Sequence, residues 1–435
     1  MSFVLAALLL LAPPASASPP PAPQAAPPEA PDYGADDLPD RAEPGPDDPF
    51  YPPKNEAARL AAATVVRPGV AFAPGRGLKL SSPGGRFSLA LGLRTGFIYS
   101  ARRDDAGFAH TLDVRRLRLL LIGNVLGPHI KYYVQLALAP RELDVHDGVV
   151  HSTPVLDTYL RFDRLRDATF TVGQYRVPFS RERNVSDVNP LLVDRSLANA
   201  EFNLDRDVGL AVHSDDLAGL GRLRYYAGVF MGEGRDAGRS SDPGLLYVAR
   251  LDFLPFGRFD DYESSDLPRL RRFRASFGGA YAFHDRARKD RGTLGDEFAD
   301  GGTMTAHNVT ADAAFRWRGW SLDAAYHWRR GWRTPGDLAM SAPPVAPRNG
   351  QGWMAQTAFL VPRTRLEPAV RVSGARGLGD TSMQDRDELG GGLNYYFFGH
   401  NLKLQLDWFH TWTRGPATPT TTGSDLVRLQ LQVNL

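Results

Sequence analysis

The sequence predicts an all-β fold, a transmembrane antiparallel β-barrel of about sixteen strands. Segments that alternate apolar with polar residues recur from residue 86 to the C-terminus, and 425–435 (DLVRLQLQVNL) is the clearest of them. After the N-terminus no run of about 18 apolar residues occurs, which excludes a transmembrane helix. Short and long connections between these segments also alternate along the chain. This combination is typical of strands that have one face in lipid and the other in water.

The N-terminus predicts a segment that is exported and then cleaved. Residues 3–11 are apolar, and Ala15-Ser16-Ala17 resembles a signal-peptidase site, so residues 1–17 are expected to be a signal peptide. Residues 18–60 are acidic and proline-rich, as expected of a disordered periplasmic leader that cannot bury a core. The barrel domain is expected over 61–435, in the outer membrane of a Gram-negative bacterium.

Composition adds a charge argument. The chain has 51 basic and 49 acidic residues, and residues 1–60 hold 3 and 9 of them, which leaves 48 and 40 in residues 61–435. An excess of eight positive charges favours anions if it is concentrated in the lumen. Cysteine is absent from the sequence, which suits a protein that crosses an oxidising periplasm.

The strands follow in chain order from the alternation. They are predicted at 87–99, 111–123, 130–139, 155–162, 168–177, 207–213, 222–230, 245–254, 271–284, 305–317, 320–330, 351–361, 364–374, 387–398, 401–413 and 425–435. With the N-terminus in the periplasm, the short connections fall on the periplasmic side, and 255–270 is the one long exception. Aromatic residues near the predicted strand ends suit the two membrane interfaces: Trp317, Trp320, Trp328, Tyr395, Phe397, Trp408 and Trp412.

If the apolar alternates face lipid, the intervening residues face the lumen. The arginines assigned to the lumen in this way are Arg94, Arg116, Arg118, Arg222, Arg224, Arg250, Arg274 and Arg371. The doublet Arg115-Arg116 makes the register there less secure. The same rule places acids in the lumen: Asp157, Asp252, Asp312, Asp323, Glu367 and Asp407. In such a wall of mixed charge, opposite charges can face each other across the pore and set up a transverse electric field. Alternatively they pair and stiffen the wall, with little ionic selectivity.

The connection at 178–206 is the third external loop and contains apolar residues that are unusual in a solvated loop. Leu191, Leu192, Val193, Leu197 and Phe202 are among them. We therefore expect the loop to fold into the lumen and narrow it, although packing on a neighbouring subunit is an alternative. In the first arrangement four arginines lie at the constriction and line an anion path: Arg181, Arg183, Arg195 and Arg206.

Four segments resemble the phosphate-selective porin O and P family. They are 113–123 (DVRRLRLLLIG), 172–182 (VGQYRVPFSRE), 205–212 (DRDVGLAV) and 228–234 (GVFMGEG). The resemblance implies a sixteen-stranded trimeric barrel with an inward loop and an arginine-lined anion path, and it places Arg181 and Arg183 near the constriction. The chain departs from most such barrels in ending on Leu435 rather than on an aromatic residue.

We therefore expect a passive outer-membrane diffusion channel that prefers anions such as phosphate. It is expected to contact outer-membrane lipid, to form a homotrimer and to need no cofactor, metal or nucleic acid. A general non-selective porin, an outer-membrane enzyme and a plugged structural anchor are the alternatives. The sequence argues against an enzyme, because it lacks the motifs G-x-S-x-G and H-E-x-x-H and its ten histidines lack metal-ligand spacing. His327 and Asp323 share a strand face, which suits a wall contact better than a catalytic dyad.

Overall fold

The computed structural model describes residues 69–435 except 74, 76, 144, 147–148, 151–152, 237–243, 338–344 and 416–420. The predicted signal peptide and leader lie outside the described residues. Two short hairpins are present besides the long strands. In the first, β1 (Gly69–Ala73) pairs with β2 (Gly77–Ser81), and β2 also pairs with the start of the next strand from Leu78↔Leu91 to Ser81↔Ser88. In the second, β6 (Val145–His146) and β7 (Val149–Val150) form a separate two-stranded sheet. The loop that follows β9 holds two helices, α1 (Arg181–Asn184) and α2 (Leu197–Phe202).

Sixteen of the described strands form the barrel wall. They are β3 (Ser88–Asp104), β4 (Gly107–Asn124), β5 (Ile130–Ala137), β8 (Val155–Leu165), β9 (Ala168–Arg176), β10 (Arg206–Ser214), β11 (Leu223–Phe230), β12 (Leu246–Phe253), β13 (Arg274–Ala287), β14 (Thr303–Trp317), β15 (Trp320–Thr334), β16 (Gly350–Phe359), β17 (Leu366–Gly377), β18 (Asp385–Phe398), β19 (Leu402–Arg414) and β20 (Thr421–Asn434). Each pairs antiparallel with the next, and β20 pairs with β3 from Ser424↔Asp104 to Asn434↔Arg94. The predicted closed sixteen-stranded barrel is confirmed.

The first external connection was predicted too long, at 100–110. In the structure β3 continues to Asp104 and β4 starts at Gly107, so two residues connect them. The backbone ladder continues as far as the pair Asp104↔Gly107. Beyond the apolar band both strand faces carry polar residues such as Arg102 and Arg103, so the alternation that marks a strand fades before the strand itself ends.

The barrel wall is apolar outside and charged inside. In β12, Tyr247, Leu251 and Phe253 are exposed, whereas Arg250 and Asp252 are buried at 3% and 0% exposure. A water-soluble sheet would bury the first set and expose the second, so the exposed face is the one that suits lipid. Of the predicted interfacial aromatic residues, four are exposed: Trp317, Phe397, Trp408 and Trp412.

No described helix has the length and apolar character that a membrane-spanning helix needs.

The connection between β12 and β13, residues 254–273, lies at the end of the barrel where the other strands are joined by short turns. It is long, and it packs against inward-facing side chains. Ser265 Oγ donates to Glu367 Oε2 at 2.9 Å, and Arg316 Nη2 donates to the carbonyl oxygen of Glu263 at 2.6 Å. Asp261 and Asp266 are 2% and 1% exposed. This segment, called the turn-end segment below, is therefore long because it covers polar groups of the inner wall rather than forming a free turn.

Candidate functional site

The β9–β10 loop, residues 177–205, begins and ends at neighbouring strands, because Arg176 pairs directly with Arg206. Its two helices are each capped by a serine. Ser180 Oγ accepts from the backbone N–H of Arg183 at 3.3 Å, and Ser196 Oγ accepts from that of Asn199 at 3.0 Å. Glu182 joins the helices, since its carboxylate accepts from the backbone N–H and the hydroxyl of Ser196, each at 2.6 Å.

The apolar residues that set this loop apart in the sequence are buried against wall strands on the far side of the barrel. Leu191 and Leu192 cluster with Ala358, Ala369 and Phe409. Leu197 and Phe202 cluster with Ala375 and Met383. The loop is thus anchored through apolar contacts to β16, β17 and β19.

Two wall glycines make room for these apolar side chains. A Cβ atom added at Gly352 would lie 2.6 Å from Phe202 Cε2, and one added at Gly392 would lie 3.0 Å from Leu192 Cδ2. Real Cβ contacts are essentially never shorter than 3.0 Å, so any side chain at position 352 would displace Phe202. The wall sequence is therefore fitted to the loop.

Arg181 lies in a buried charge cluster. Its Nε donates to Asp312 Oδ1 at 2.6 Å, its Nη2 donates to Ser276 Oγ at 2.9 Å, and its Nη1 pairs with Asp261 of the turn-end segment. Arg250 binds Asp312 from the wall at 2.8 Å. Arg181 is 4% exposed, so its guanidinium is enclosed by these carboxylates and the Ser276 hydroxyl and does not face open water.

The other three arginines assigned to the constriction are also paired. Arg183 Nε donates to Asp205 at 2.6 Å, and Arg195 Nη2 donates to Asp187 at 2.7 Å. The same guanidinium of Arg195 donates to the carbonyl oxygens of Glu182 and Val185, each at 2.8 Å. Arg206 makes two bonds to Asp157 on the neighbouring wall, at 3.0 and 2.9 Å. Arg181, Arg183 and Arg195 thus hold the loop to itself or to the wall, whereas Arg206, the first residue of β10, pairs within the wall.

Two loop aspartates are surrounded by wall arginines. Asp187 pairs with Arg118 and Arg176, and Asp194 pairs with Arg115 and Arg428. Burial alone would raise the pKa of Asp187, but the charges of Arg176, Arg118 and Arg195 outweigh burial and hold that pKa well below its usual range. Both carboxylates are therefore ionised and fix the loop electrostatically.

A β-bulge explains how consecutive arginines of β4 reach the same loop. The register with β3 runs Gly96↔Arg116 and then Phe97↔Val114, which leaves Arg115 as the extra residue. An extra residue lets two successive side chains turn toward one face. Arg115 binds Asp194, and Arg116 Nη1 donates to the carbonyl oxygen of Asp187 at 3.3 Å.

The remaining arginines that the alternation assigned to the lumen differ in their surroundings. Arg224 binds Asp261 of the turn-end segment at 2.8 Å, and Arg371 binds Glu388 at 3.0 Å and the carbonyl oxygen of Asp194 at 2.7 Å. Arg222 precedes β11 at the barrel rim and is exposed. Arg274, the first residue of β13, is half-buried. All six acids assigned to the lumen are buried: Asp157, Asp252, Asp312, Asp323, Glu367 and Asp407.

A cavity of about 370 Å³ opens between the loop and the β3–β11 side of the wall. Its lining residues are Arg94, Tyr133, Gln135, Asp157, Tyr159, Arg161, Thr171, Tyr175, Arg176, Pro178, Asn184, Ser186, Ala211, His213, Tyr226 and Tyr262. In the part of the chain that the structure describes, neither Arg94 nor Arg161 pairs with a carboxylate, and the Nε–H of each is buried without a hydrogen-bond partner. Both side chains are half-buried on the wall of the cavity, so each guanidinium can meet an anion there through its accessible part rather than through the buried Nε–H.

The pair that sequence analysis compared with a catalytic dyad is not joined by a hydrogen bond. Asp323 pairs with Arg316 at 2.7 Å and accepts from Gln356 at 3.1 Å. The ring of His327 stacks on Phe202, with centroids 6.1 Å apart. Among the described residues no group of three or more histidine, aspartate or glutamate side chains could hold a metal ion.

The model of one protein family, described as phosphate-selective porin O and P, matches residues 89–435. The chain belongs to this family. No curated protein matches the porin by sequence. Membership agrees with the inside-out wall and indicates an outer-membrane channel rather than an enzyme.

Solved outer-membrane structures share the fold of the porin. An anion-selective porin from Comamonas acidovorans is 12% identical with a TM-score of 0.53, and the match covers 80% of this chain and 100% of that one. The outer membrane channel DcaP of Acinetobacter baumannii is 10% identical with a TM-score of 0.53, over 82% and 99% of the two chains. A loop L8 deletion mutant of Vibrio cholerae OmpT is 10% identical with a TM-score of 0.51, over 80% and 99%. At these identities the likeness concerns the barrel fold.

Sequence reasoning overlooked the tyrosines and Arg161 in the cavity of the porin. Tyr133 follows another tyrosine, so alternation alone leaves open which of the two faces inward, whereas Tyr226 could have been found because it lies two residues after Arg224. Arg161 could have been found, because Leu160 and Phe162 on either side of it are exposed on the lipid face. The alternation rule that assigned Arg94 to the lumen therefore assigns Arg161 to the lumen as well.

Proposed function

We propose that the porin is a passive diffusion channel that prefers anions, with phosphate or a similar oxyanion as the leading solute. The observation that carries the proposal is the pair of uncompensated arginines, Arg94 and Arg161, on the wall of the cavity. Guanidinium groups present several donors in a plane and suit phosphate and carboxylate oxygens. The excess of eight basic residues over 61–435 supports the same sign of selectivity.

In this proposal the β9–β10 loop folds into the lumen and forms the constriction. Its hydrogen bonds and ion pairs to inward-facing residues of β4, β14, β17, β19 and β20 support that position. Arg181, Arg183, Arg195 and Arg206 maintain the shape of the constriction through their ion pairs and add to its field at longer range. Direct contact with the passing ion falls to the lumen arginines beside the cavity, with binding weak enough for the ion to leave.

The test of the proposed function is a reversal potential in a planar bilayer under a KCl gradient, repeated with added phosphate. We expect the potential to lie on the chloride side, and we expect millimolar phosphate to reduce the chloride current. A potential on the potassium side would overturn the anion preference, and a chloride current indifferent to phosphate would overturn phosphate as the leading solute.

A general non-selective porin is the second candidate, and the extensive ion pairing favours it. When each cation of a wall has its own carboxylate, little net field remains to select ions. Asp312, Asp187, Asp194 and Asp407 are all engaged in this way. A reversal potential near zero with no phosphate block would support this candidate over the first.

We also propose that the porin is a homotrimer, as the family resemblance implies. The outer face of β9–β13 supports a protein contact, because small residues such as Ala227 and Ala249 leave a groove of about 450 Å³ there. We expect light scattering of the detergent-solubilised protein, corrected for bound detergent, to give three times the mass of the chain. A monomer mass would contradict the trimer and leave the groove to lipid.

A further inference from the structure

The cavity has a lining that an inorganic ion alone does not require. Its volume of about 370 Å³ lies in the range of sites for small organic molecules, roughly 300–1,000 Å³. Five tyrosines contribute to the lining, more than any other residue type: Tyr133, Tyr159, Tyr175, Tyr226 and Tyr262. A channel for phosphate alone needs only charged groups and water along its path. The aromatic surface therefore indicates a solute that also carries an apolar part.

Three of these tyrosines form a continuous row across β5, β8 and β9. Tyr133 and Tyr159 are direct cross-strand partners with rings 5.1 Å apart and 8° from parallel. Tyr175 meets Tyr159 edge to face, with centroids 5.6 Å apart at 69°. Aromatic rings interact through such stacked and edge-to-face geometries, so the row is a rigid apolar surface with polar hydroxyl tips.

Gly173 is fitted to this row. It is the cross-strand partner of Tyr159 and has a φ of 132°, which side-chain-bearing residues rarely adopt. A Cβ atom there would lie 2.2 Å from the carbonyl oxygen of Thr158 and 2.7 Å from Tyr159 Cα. The glycine of the VGQYR segment therefore allows β8 and β9 to approach beside the tyrosine row.

The free cations lie on the same wall as the row. The guanidinium carbon of Arg161 is 5.6 Å from the ring centroid of Tyr159, and Arg94 lines the same cavity. Asp157, the carboxylate that lines the cavity, is already paired with Arg206 through two hydrogen bonds. The third arginine of the lining, Arg176, is paired with Asp187. The wall thus combines an aromatic surface with uncompensated positive charge.

We propose that the cavity is a binding site for ring-bearing organic oxyanions, in which the phosphate or carboxylate group contacts Arg94 and Arg161 and the ring lies against the tyrosine row. This inference rests on the proposed anion preference and adds the class of solute. The two cations select the head group, and Tyr133, Tyr159 and Tyr175 select the body of the solute. Transport is retained because each contact is made at a half-buried, water-accessible side chain.

The experiment compares phenyl phosphate with methyl phosphate as blockers of the chloride current through the purified porin in a planar bilayer. Both are held at pH 8, so that the two esters carry the same charge and differ in the ring. We expect phenyl phosphate to block at a concentration roughly fivefold lower, the scale of one aromatic contact. Tyr159→Leu should remove most of that difference, while methyl phosphate still blocks the current.

Two controls make each outcome decisive. Tyr326→Leu replaces an exposed tyrosine on the lipid-facing side and should keep the preference for phenyl phosphate. Tyr175→Leu is a second variant within the row in case Tyr159→Leu does not fold. Equal block by the two esters in an anion-preferring channel would overturn the ring site and leave the proposed function standing. A channel that prefers potassium would overturn the proposed function itself.

Discussion

Replacing residues 178–204 of the β9–β10 loop with a four-residue turn should raise the single-channel conductance of the porin roughly threefold, because an open lumen conducts in proportion to its cross-section. The replacement is geometrically feasible since Arg176 and Arg206, which flank the loop, are cross-strand partners on adjacent strands, and the N–H of Val177 donates to the carbonyl oxygen of Asp205 at 2.7 Å. The loop buries Leu191, Leu192 and Phe202 against the opposite wall, so its removal vacates the interior. Conductance in planar bilayers is the measurement.

A matched control removes a different part of the same end of the barrel. The tip of the β3–β4 hairpin, residues 102–109, is largely exposed and can be closed with two residues between Ala101 and His110, which are partners. That variant should conduct like the unaltered porin. A loop replacement that leaves conductance unchanged, in protein that still shows the heat-dependent gel shift of a folded barrel, would place the constriction elsewhere.

Arg181→Met should lower the free energy of unfolding by about 3–5 kcal/mol, the usual cost of removing one partner from a buried ion pair. Asp312 and Asp261 both face this guanidinium, and each is 7% exposed or less. Methionine fills a similar volume without the charge, so the loss reflects an excess of one buried carboxylate over the remaining arginines, Arg250 at Asp312 and Arg224 at Asp261, rather than a void. Denaturant unfolding of the porin refolded in lipid vesicles measures the change.

Two variants distinguish this explanation from a general loss of packing. Arg183→Met, two residues away on the same helix, breaks a pair with the partly exposed Asp205 and should cost far less. Adding Asp312→Asn to Arg181→Met should recover part of the loss, because the cluster then again holds equal numbers of arginines and carboxylates, Arg224 and Arg250 with Asp252 and Asp261. Equal losses for Arg181→Met and Arg183→Met, or a double variant less stable than either single one, would contradict the buried-pair account.

The wall of the porin could be predicted from sequence because the face of each strand residue depends only on its position in the local alternation. The side-chain period of two assigns each residue a face, and the buried acids Asp157, Asp252 and Asp407 were found from this rule alone. The apolar content of the β9–β10 loop likewise indicated that it does not lie in bulk water. Where both strand faces meet water, as at Arg102 and Arg103, the rule loses its signal and the strand ends were placed too early.

The ion pairing could not be predicted, because it depends on contacts between residues far apart in the chain. Arg181 binds Asp312 across 131 positions, and Arg428 binds Asp194 across 234. Alternation gives the face of each residue but not its height in the barrel or its partner across the lumen. The bulge at Arg115 and the stacking within the tyrosine row depend in the same way on the register between neighbouring strands.

The central claim is that Arg94 and Arg161, rather than the paired loop arginines, give the channel its anion preference. Its most direct test is the reversal potential under a KCl gradient for the unaltered porin, for Arg94→Gln/Arg161→Gln, and for Arg330→Gln as a control on the exposed outer face. We predict a chloride-side potential that moves most of the way to zero in the double variant and stays in place in the control. A double variant with the original potential would contradict the claim.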